Sequence, residues 1–251
     1  MNKQTNLKKD AISPKSTPPD NEGNGANSGN ATNSAASDLV LGTVEKIEKP
    51  SAIRLRAVND LKRQMILQAA RRVFEKDGLL KANVRAIASE AGYTASAIYN
   101  HYENKEEIYG DLLQQSLDQL NSAVHEGHQY HLPADKRVSH DAMAFYDFYL
   151  KNPRELDLGF YFFQEMKPLG LTPALNEHLN QRLQDALSGV ATGLQELGCS
   201  PALAARETTA LFGHCVGLLL LTHTGRIRMF GQDGRELFAM YVEGLIKRAE
   251  Q

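Results

Sequence analysis

The chain has 251 residues, of which 42% are hydrophobic, so it can bury a substantial core in one or two domains. Residues 54–105 contain 10 Lys and Arg residues and 5 Asp and Glu residues. Residues 106–251 contain 12 Lys and Arg residues and 19 Asp and Glu residues. A basic segment joined to an acidic remainder predicts that only the first of the two meets a polyanion.

The composition also excludes several classes of protein. Only two cysteines, Cys199 and Cys215, are present, which excludes a disulfide framework and fits a reducing compartment. The lysines near the N-terminus are not followed by the apolar run that a signal peptide needs. The most apolar stretch, residues 215–222, is far shorter than the ~20 residues of a membrane helix. We therefore expect a soluble cytoplasmic protein without a membrane partner.

The N-terminal region, residues 1–52, is rich in Asn, Ser, Gly, Pro and Ala. Too few apolar side chains are available to offset the entropy of ordering such a segment. We therefore predict a disordered tail over this range.

Helical periodicity begins at Leu61, and the first helix is expected to end near Gly78, because glycine readily caps a helix C-terminus. The following segment predicts two short helices separated by Gly92, and then a longer helix. Three polar residues are placed to cap these helices at their N-termini, in order Asn83, Thr94 and Asn104.

Prolines and glycines divide the rest of the chain into four or five further helical segments, and no segment alternates with the period of two that strands require. We therefore predict an all-α fold. Its parts are the tail, a three-helix unit over residues 53–104, and a C-terminal helical domain over residues 105–251.

The two short helices predict a helix-turn-helix, which lays its second helix in the DNA major groove. This helix spans residues 94–99, and the small side chains at its start allow close approach to base edges, while its N-terminal N–H groups favour phosphate. We predict that Ile98 faces inward and that Tyr99 points toward double-stranded DNA.

The run ILQAARRVFEKDGL, followed by VRAIASEAGYTASAIYNHYENKEEI, resembles the TetR/AcrR family of bacterial transcription regulators over roughly residues 60–112. The specific features are an Ala-Gly pair, a Thr-capped short helix, a Tyr-x-His-aromatic run and a Lys-Glu-Glu helix start. The resemblance implies a regulator whose C-terminal domain dimerises and binds an effector.

By position, the resemblance assigns DNA contacts to Arg85, Thr94, Ala95, Ser96, Tyr99, Asn100, His101 and Lys105, and it places Tyr102 beneath the helix-turn-helix. Lys105 also opens a helix, where a cation opposes the macrodipole, so we attribute its presence to a phosphate partner. Arg54 and Arg56 have two open interpretations: an arm in the minor groove, or a solvated linker, which is preferred.

Aromatic residues concentrate in two neighbouring segments, MAFYDFYL and FYFFQEM. Such a concentration, with a few polar residues beside it, is typical of an apolar ligand pocket, although core packing explains any single ring. The residues predicted to line an effector site are Phe145, Phe148, Tyr149, Phe160, Phe163 and Glu165. An apolar or aromatic compound is the expected effector.

Neither metal nor catalytic chemistry is predicted. His125, His128 and His131 are spaced like metal ligands, but no carboxylate or cysteine cluster completes the shell. His214 and Cys215 adjoin in an apolar helix without an orienting acid, which indicates a buried, inert thiol. We predict no cofactor.

Dimerisation is expected to use the last two helices. Residues 202–224 are apolar nearly all round, and a second apolar stripe runs over residues 237–246. Gly213 and Gly217, four apart, would permit close helix approach.

Together these features predict a repressor that binds a palindromic operator as a homodimer and is released by a small effector. An activator, or a repressor without an effector, fits the same sequence. An enzyme would need a coherent catalytic set, and the sequence offers none.

Overall fold

The computed structural model describes residues 49–126, 132–160 and 171–251. These residues form nine α-helices and one 3-10 helix and contain no strand, which confirms the predicted all-α fold. The α-helices are α1 (Pro50–Lys81), α2 (Val84–Ala91), α3 (Ala95–Tyr99), α4 (Lys105–His125), α5 (Ala134–Lys151), α6 (Pro153–Phe160), α7 (Pro173–Glu196), α8 (Pro201–His223) and α9 (Gly234–Ala249). The 3-10 helix, Arg226–Phe230, joins α8 to α9.

The first helix, α1, begins at Pro50, well before the expected start at Leu61, so the boundary drawn at residue 53 falls inside it. Residues 51–65 are all exposed, and therefore they carry no core-facing periodicity that the sequence could reveal. At the other end Gly78 leaves the helical conformation with φ 71° and ψ 159°, as expected of a glycine there. The predicted disordered tail lies, up to residue 48, outside the described residues.

The three predicted N-caps are confirmed. The side chain of Asn83 accepts a hydrogen bond from Ala86 N (3.0 Å), and that of Thr94 accepts one from Ala97 N (3.2 Å). Asn104 does the same for α4, and Gly92 ends α2 in the left-handed conformation with φ 73°. These contacts satisfy backbone groups at the helix ends and fix the turn between α2 and α3.

Helices α1, α2 and α3 share one small core, which we call the three-helix unit. Ile66, Ile87 and Ile98 are each no more than 1% exposed and come from the three helices in turn. An ion pair between Arg72 and Glu90 (2.5 Å) adds a contact between α1 and α2 at the surface. The buried side chains, rather than this exposed pair, hold the unit together.

The C-terminal helices pack around α5, which contacts α4, α6, α7, α8 and α9. Its buried aromatic rings hold the neighbours in place; for example, Tyr146 stacks on Phe238 of α9 with 4.8 Å between ring centroids. Over the described ranges, no helix combines the length and the apolar character needed to cross a membrane.

Candidate nucleic-acid interface and ligand cavity

The short helix α3 has one buried and one exposed side. Ile98 is fully buried, whereas the adjacent Tyr99 is 56% exposed. Tyr102, after the helix, is 5% exposed and lies beneath the unit as expected. The three aromatic residues of the Tyr-x-His-Tyr run thus divide between the core and the surface, and Tyr99 is available to a partner.

The residues predicted to contact DNA form a largely exposed surface. Arg85, Thr94, Ser96, Tyr99, Asn100 and His101 are exposed, whereas Ala95 and Lys105 are half-buried. One of them, Thr94, already uses its hydroxyl oxygen as the cap of α3. The hydroxyl hydrogen of Thr94 stays available as a donor to a phosphate or a base.

The structure corrects the interpretation of Lys105. Its ammonium donates hydrogen bonds to the carbonyl oxygens of Leu80 (3.1 Å) and Ala82 (3.0 Å), which lie at and just beyond the end of α1. The lysine therefore has a structural role as a tie between α1 and α4, and its position at a helix start does not require a phosphate. Contact between Lys105 and DNA stays a prediction.

A second tie between α1 and α4 lies beside α3. The hydroxyl of Tyr102 donates to Asp111 Oδ2 (2.7 Å), and Arg63 Nε donates to the same carboxylate oxygen (2.9 Å) and to the Tyr102 hydroxyl (3.2 Å). Burial, followed by the hydrogen bond and charge of Asp111, raises the pKa of Tyr102, so the phenol stays protonated and keeps donating. This cluster connects the surface around α3 to α4.

A cavity of about 210 Å³ lies among α4, α5, α6 and α7. Its described wall is mostly apolar with a phenol and two side-chain amides, and it consists of Leu113, Leu117, Tyr149, Gly159, Phe160, Asn176, Leu179, Asn180 and Leu183. Burial raises the pKa of Tyr149, so its hydroxyl stays neutral. An apolar wall with a few neutral polar groups suits an uncharged or weakly polar ligand.

Only part of the predicted ligand set lies on this wall. Tyr149 and Phe160 line the cavity, but Phe145 and Phe148, 0% and 8% exposed, pack inside the core against Tyr149. Phe145 and Phe148 therefore do not form part of the described wall, because α5 is surrounded by other helices and buries most of its rings, and contact of these two rings with a ligand stays a prediction. Phe163 and Glu165 lie outside the described residues.

The sequence reasoning missed the two amides of the wall. Asn176 and Asn180 are one helical turn apart on α7, and Leu179 and Leu183 of the same helix also line the cavity. The available signal was a pair of asparagines, four residues apart, on the side of an amphipathic helix that carries leucines. Their amides can donate to and accept from a polar group of a ligand.

Helix α6 connects this cavity to the three-helix unit. Near its start, Glu155 pairs with Arg71 of α1 (2.6 Å), and Arg154 pairs with Glu75 one turn along α1 (3.3 Å). At its other end, residues 159 and 160 form part of the cavity wall. A ligand that displaces the end of α6 therefore acts on a helix that is bonded to α1.

A larger cavity, of about 530 Å³, lies between the end of α1 and α6. Six of its ten wall residues carry charged side chains: Arg71, Glu75, Lys76, Asp77, Arg154 and Asp157. Three of these, Arg71, Glu75 and Arg154, take part in the α1–α6 ion pairs. Burial raises the pKa of another wall residue, Asp157, which disfavours its charged form. The apolar cavity is therefore the better candidate for an effector site.

Helices α8 and α9 expose apolar side chains on the outside of the domain. Leu203, Leu220 and Met240 are 43%, 37% and 67% exposed. A Cβ added at Gly213 or Gly217 of α8 would meet no atom within 4 Å, so both glycines face open space. This surface has the apolar character and the small residues that were expected of a dimer interface.

Comparisons with known proteins bear on the three-helix unit first. Residues 66–112 match the family model described as bacterial regulatory proteins, tetR family. This range runs from the first buried residue of α1 through α3 into α4, which is the part of the chain that exposes Tyr99 and buries Ile98. Over this range the chain is similar to the tetR family.

A curated relative matches part of the chain. Over 93 residues the protein is 32% identical to the HTH-type transcriptional activator FasR of Mycolicibacterium smegmatis (strain ATCC 700084 / mc(2)155). The match covers 37% of this chain and 42% of FasR, so it spans less than half the length of that relative.

Solved structures of transcription regulators match the fold over a longer range. The transcriptional regulator FadR from Bacillus subtilis, in complex with stearoyl-CoA, aligns with a TM-score of 0.56 and 18% identity over 73% of this chain and 97% of that chain. A TetR family transcription regulator from Marinobacter aquaeolei VT8 aligns with a TM-score of 0.58 and 21% identity over 76% and 97%. These likenesses show a shared fold that continues beyond the three-helix unit into the C-terminal helices.

Proposed function

We propose that the protein is a DNA-binding transcriptional regulator that acts as a homodimer in the cytoplasm and responds to a small apolar effector. The observation that carries this proposal is the orientation of α3, whose buried Ile98 anchors it while Tyr99 and the surrounding polar residues stay exposed. The match of residues 66–112 to the tetR family model supports DNA as the partner of this surface.

DNA recognition follows from the exposed surface. Arg85 on α2 and Tyr99, Asn100 and His101 around the end of α3 offer donors for phosphates and base edges. A two-fold dimer presents two such surfaces, and it therefore reads a palindromic operator whose half-sites are separated by whole helical turns. The apolar surface of α8 and α9 is the proposed dimer interface, because it is exposed and holds Gly213 and Gly217.

The effector is proposed to occupy the apolar cavity beside α6. Four leucines in its wall accommodate an aliphatic chain, and the amides of Asn176 and Asn180 bind a polar group attached to it. The stearoyl-CoA bound to the FadR structure is a compound with such a chain. We therefore place compounds with an aliphatic acyl chain first among the candidate effectors, with the chain, rather than a charged head group, in the cavity.

Effector and DNA are coupled through α6. An effector that binds more tightly when α6 is displaced must lower the affinity for DNA by the same factor, provided the displacement disfavours the DNA-bound spacing of the two reading helices. The ion pairs of Arg71 with Glu155 and of Glu75 with Arg154 transmit this displacement to α1.

A protein that the effector releases from its operator acts as a repressor, and this is the first of two forms of the proposed function. The similarity to FasR, an activator by name, favours activation as the second form. Transcription of a promoter that carries the operator distinguishes them: added protein lowers transcript yield if it is a repressor and raises it if it is an activator.

The proposal is tested by measuring ligand binding and DNA release on the same sample. A series of acyl compounds of increasing chain length is added to the protein–DNA complex, and thermal stability and fluorescence anisotropy of labelled DNA are recorded. We expect the compounds that raise the melting temperature to change DNA affinity as well. Ligands that stabilise the protein without any effect on DNA would contradict the effector assignment.

A further inference from the structure

The first part of α1 is exposed along its length and contacts the rest of the domain at its base, through Arg63 and Met65. Residues 50–65, which we call the α1 extension, are all exposed, and the core begins at Ile66. At about 1.5 Å per residue the extension is about 24 Å long. A helix of this length gains little stability in water unless it packs on something, so the extension has the form of a binding element.

The charge of the extension favours an anionic partner. Over residues 49–65 there are five basic side chains, Lys49, Arg54, Arg56, Lys62 and Arg63, against one acidic side chain, Asp60. Arg63 pairs with Asp111 and Arg54 Nε donates to Pro50 O (3.3 Å), and all five residues are exposed. A concentration of like charge on a projecting helix attracts a polyanion.

The base of the extension lies beside α3. Arg63 Nε donates to the hydroxyl of Tyr102 (3.2 Å), and the hydroxyl of Tyr93 donates to Met65 Sδ (3.6 Å). Because Tyr93 and Tyr102 flank α3 in the chain, the extension leaves the domain at the end that carries the recognition helix. Any duplex bound by α3 is therefore within reach of the basic helix.

We propose that the α1 extension is a second DNA-contacting element, which lies against the phosphate backbone beside the half-site read by α3. This inference rests on the proposed DNA-binding function. An α-helix is about 10–12 Å wide with its side chains, whereas the minor groove is about 6 Å wide, so the extension contacts phosphates from outside the groove. These contacts add affinity and salt dependence but no base preference.

The structure thereby changes the interpretation of Arg54 and Arg56. Both lie in the helix, so they belong neither to an extended arm nor to a linker. The apolar residues Ile53 and Leu61, 53% and 59% exposed, would instead suit a second copy of the chain. Charge and position beside α3 favour DNA, and the experiment separates the two partners.

The test compares full-length variants on an operator selected by the wild-type protein. The variant R54Q/K62Q removes two charges eight residues apart on α1, and the control R226Q/R228Q removes two exposed charges from the 3-10 helix. We expect R54Q/K62Q to weaken binding at least tenfold and to lower the slope of log K against log salt by up to about 3.6, because the dimer then neutralises four fewer phosphates. The base preference of R54Q/K62Q should match that of the wild type, and the control R226Q/R228Q should match the wild type in both affinity and salt slope.

A helix-breaking change tests the helical form of the contact. A57P lies where no core residue is affected, and it should weaken DNA binding as R54Q/K62Q does, because the extension can no longer project as one rigid helix. Unchanged affinity and salt slope in R54Q/K62Q would overturn the inference, and so would unchanged binding by A57P.

The competing partner has a different signature. If I53S/L61S reduces the mass measured by light scattering while R54Q/K62Q leaves the salt slope unchanged, the extension binds a second copy and the inference is overturned. Failure of the proposed function itself is recognised separately, because in that case the wild-type protein selects no DNA sequence.

Discussion

The guanidinium of Arg71 in α1 and the carboxylate of Glu155 in α6 lie 2.6 Å apart, and this ion pair joins the three-helix unit to the helix whose far end lines the apolar cavity. The two side chains are 26% and 12% exposed, so solvent screens the pair only partly. The second oxygen of Glu155 is buried without a hydrogen bond to any described residue. The hydrogen bond from Arg71 is therefore the contact that compensates the burial of the Glu155 carboxylate.

Replacing Arg71 with Gln should uncouple the effector from DNA. We expect R71Q to lower the free energy of unfolding by about 1–3 kcal/mol, because Glu155 is left without its cation. Effector binding should persist while the effector's influence on DNA affinity falls. Urea unfolding and DNA anisotropy with and without effector measure the two effects.

The matched control is the ion pair between Arg235 and Asp147 (2.7 Å), which joins α9 to α5 and does not involve α6. R235Q should leave the effect of the ligand on DNA unchanged. The swapped variant R71E/E155R should recover part of the coupling. Equal loss of coupling in R71Q and R235Q would argue against a specific role of α6.

Replacing the amides of the cavity should alter ligand selectivity without altering DNA affinity. N176L and N180L each remove the hydrogen-bonding capacity of a wall residue, which is worth about 0.5–1.5 kcal/mol for a neutral hydrogen bond. We expect two- to tenfold weaker binding of effectors with a polar head group and no loss for pure hydrocarbons. Titration calorimetry over a ligand series measures this, and a uniform loss for all ligands would indicate a change in shape instead.

Lys105 and Tyr99 should behave differently when truncated. K105M loses two hydrogen bonds to backbone carbonyls, so we expect a loss of about 1–2 kcal/mol in the free energy of unfolding. Y99A removes an exposed ring and should leave stability within about 0.5 kcal/mol while weakening operator binding. Thermal melts and anisotropy distinguish the two; a stable K105M that binds DNA poorly would restore a phosphate role to the lysine.

Substitution of Gly217 should separate folding from dimerisation. Because an added Cβ meets no atom of the same chain within 4 Å, G217A should raise the helix stability of the monomer by about 1 kcal/mol. In a dimer that uses close contact at α8, the same methyl group should raise the dissociation constant, and G217V should raise it further. Light scattering over a range of concentrations measures the change, and an unaltered dimer would place the interface elsewhere.

Local features of the fold were predictable from the sequence because their causes are local. The side chains of Asn83, Thr94 and Asn104 each accept a hydrogen bond from the backbone N–H three residues later. Gly92, which was predicted to separate the two short helices, ends α2 with a positive φ. These contacts need no knowledge of distant parts of the chain.

Features that depend on distant contacts were not predictable. The partners of Lys105 are carbonyls 23 and 25 residues earlier, which no local pattern reveals. Aromatic composition indicated a cavity near α5, but the packing of α5 among five helices decides that Tyr149 lines it while Phe145 does not. The exposed start of α1 left no periodic signal, so its helix was missed.

Whether the exposed surface around α3 reads DNA sequence can be decided by selecting duplexes from a random library with the full-length protein. The wild-type protein should enrich an inverted repeat whose half-site centres are about 10 base pairs, or a multiple, apart. Y99A should enrich it weakly or not at all. Selection of no sequence by the wild-type protein, or of the same repeat with equal strength by Y99A and the wild type, would show that this surface does not read DNA.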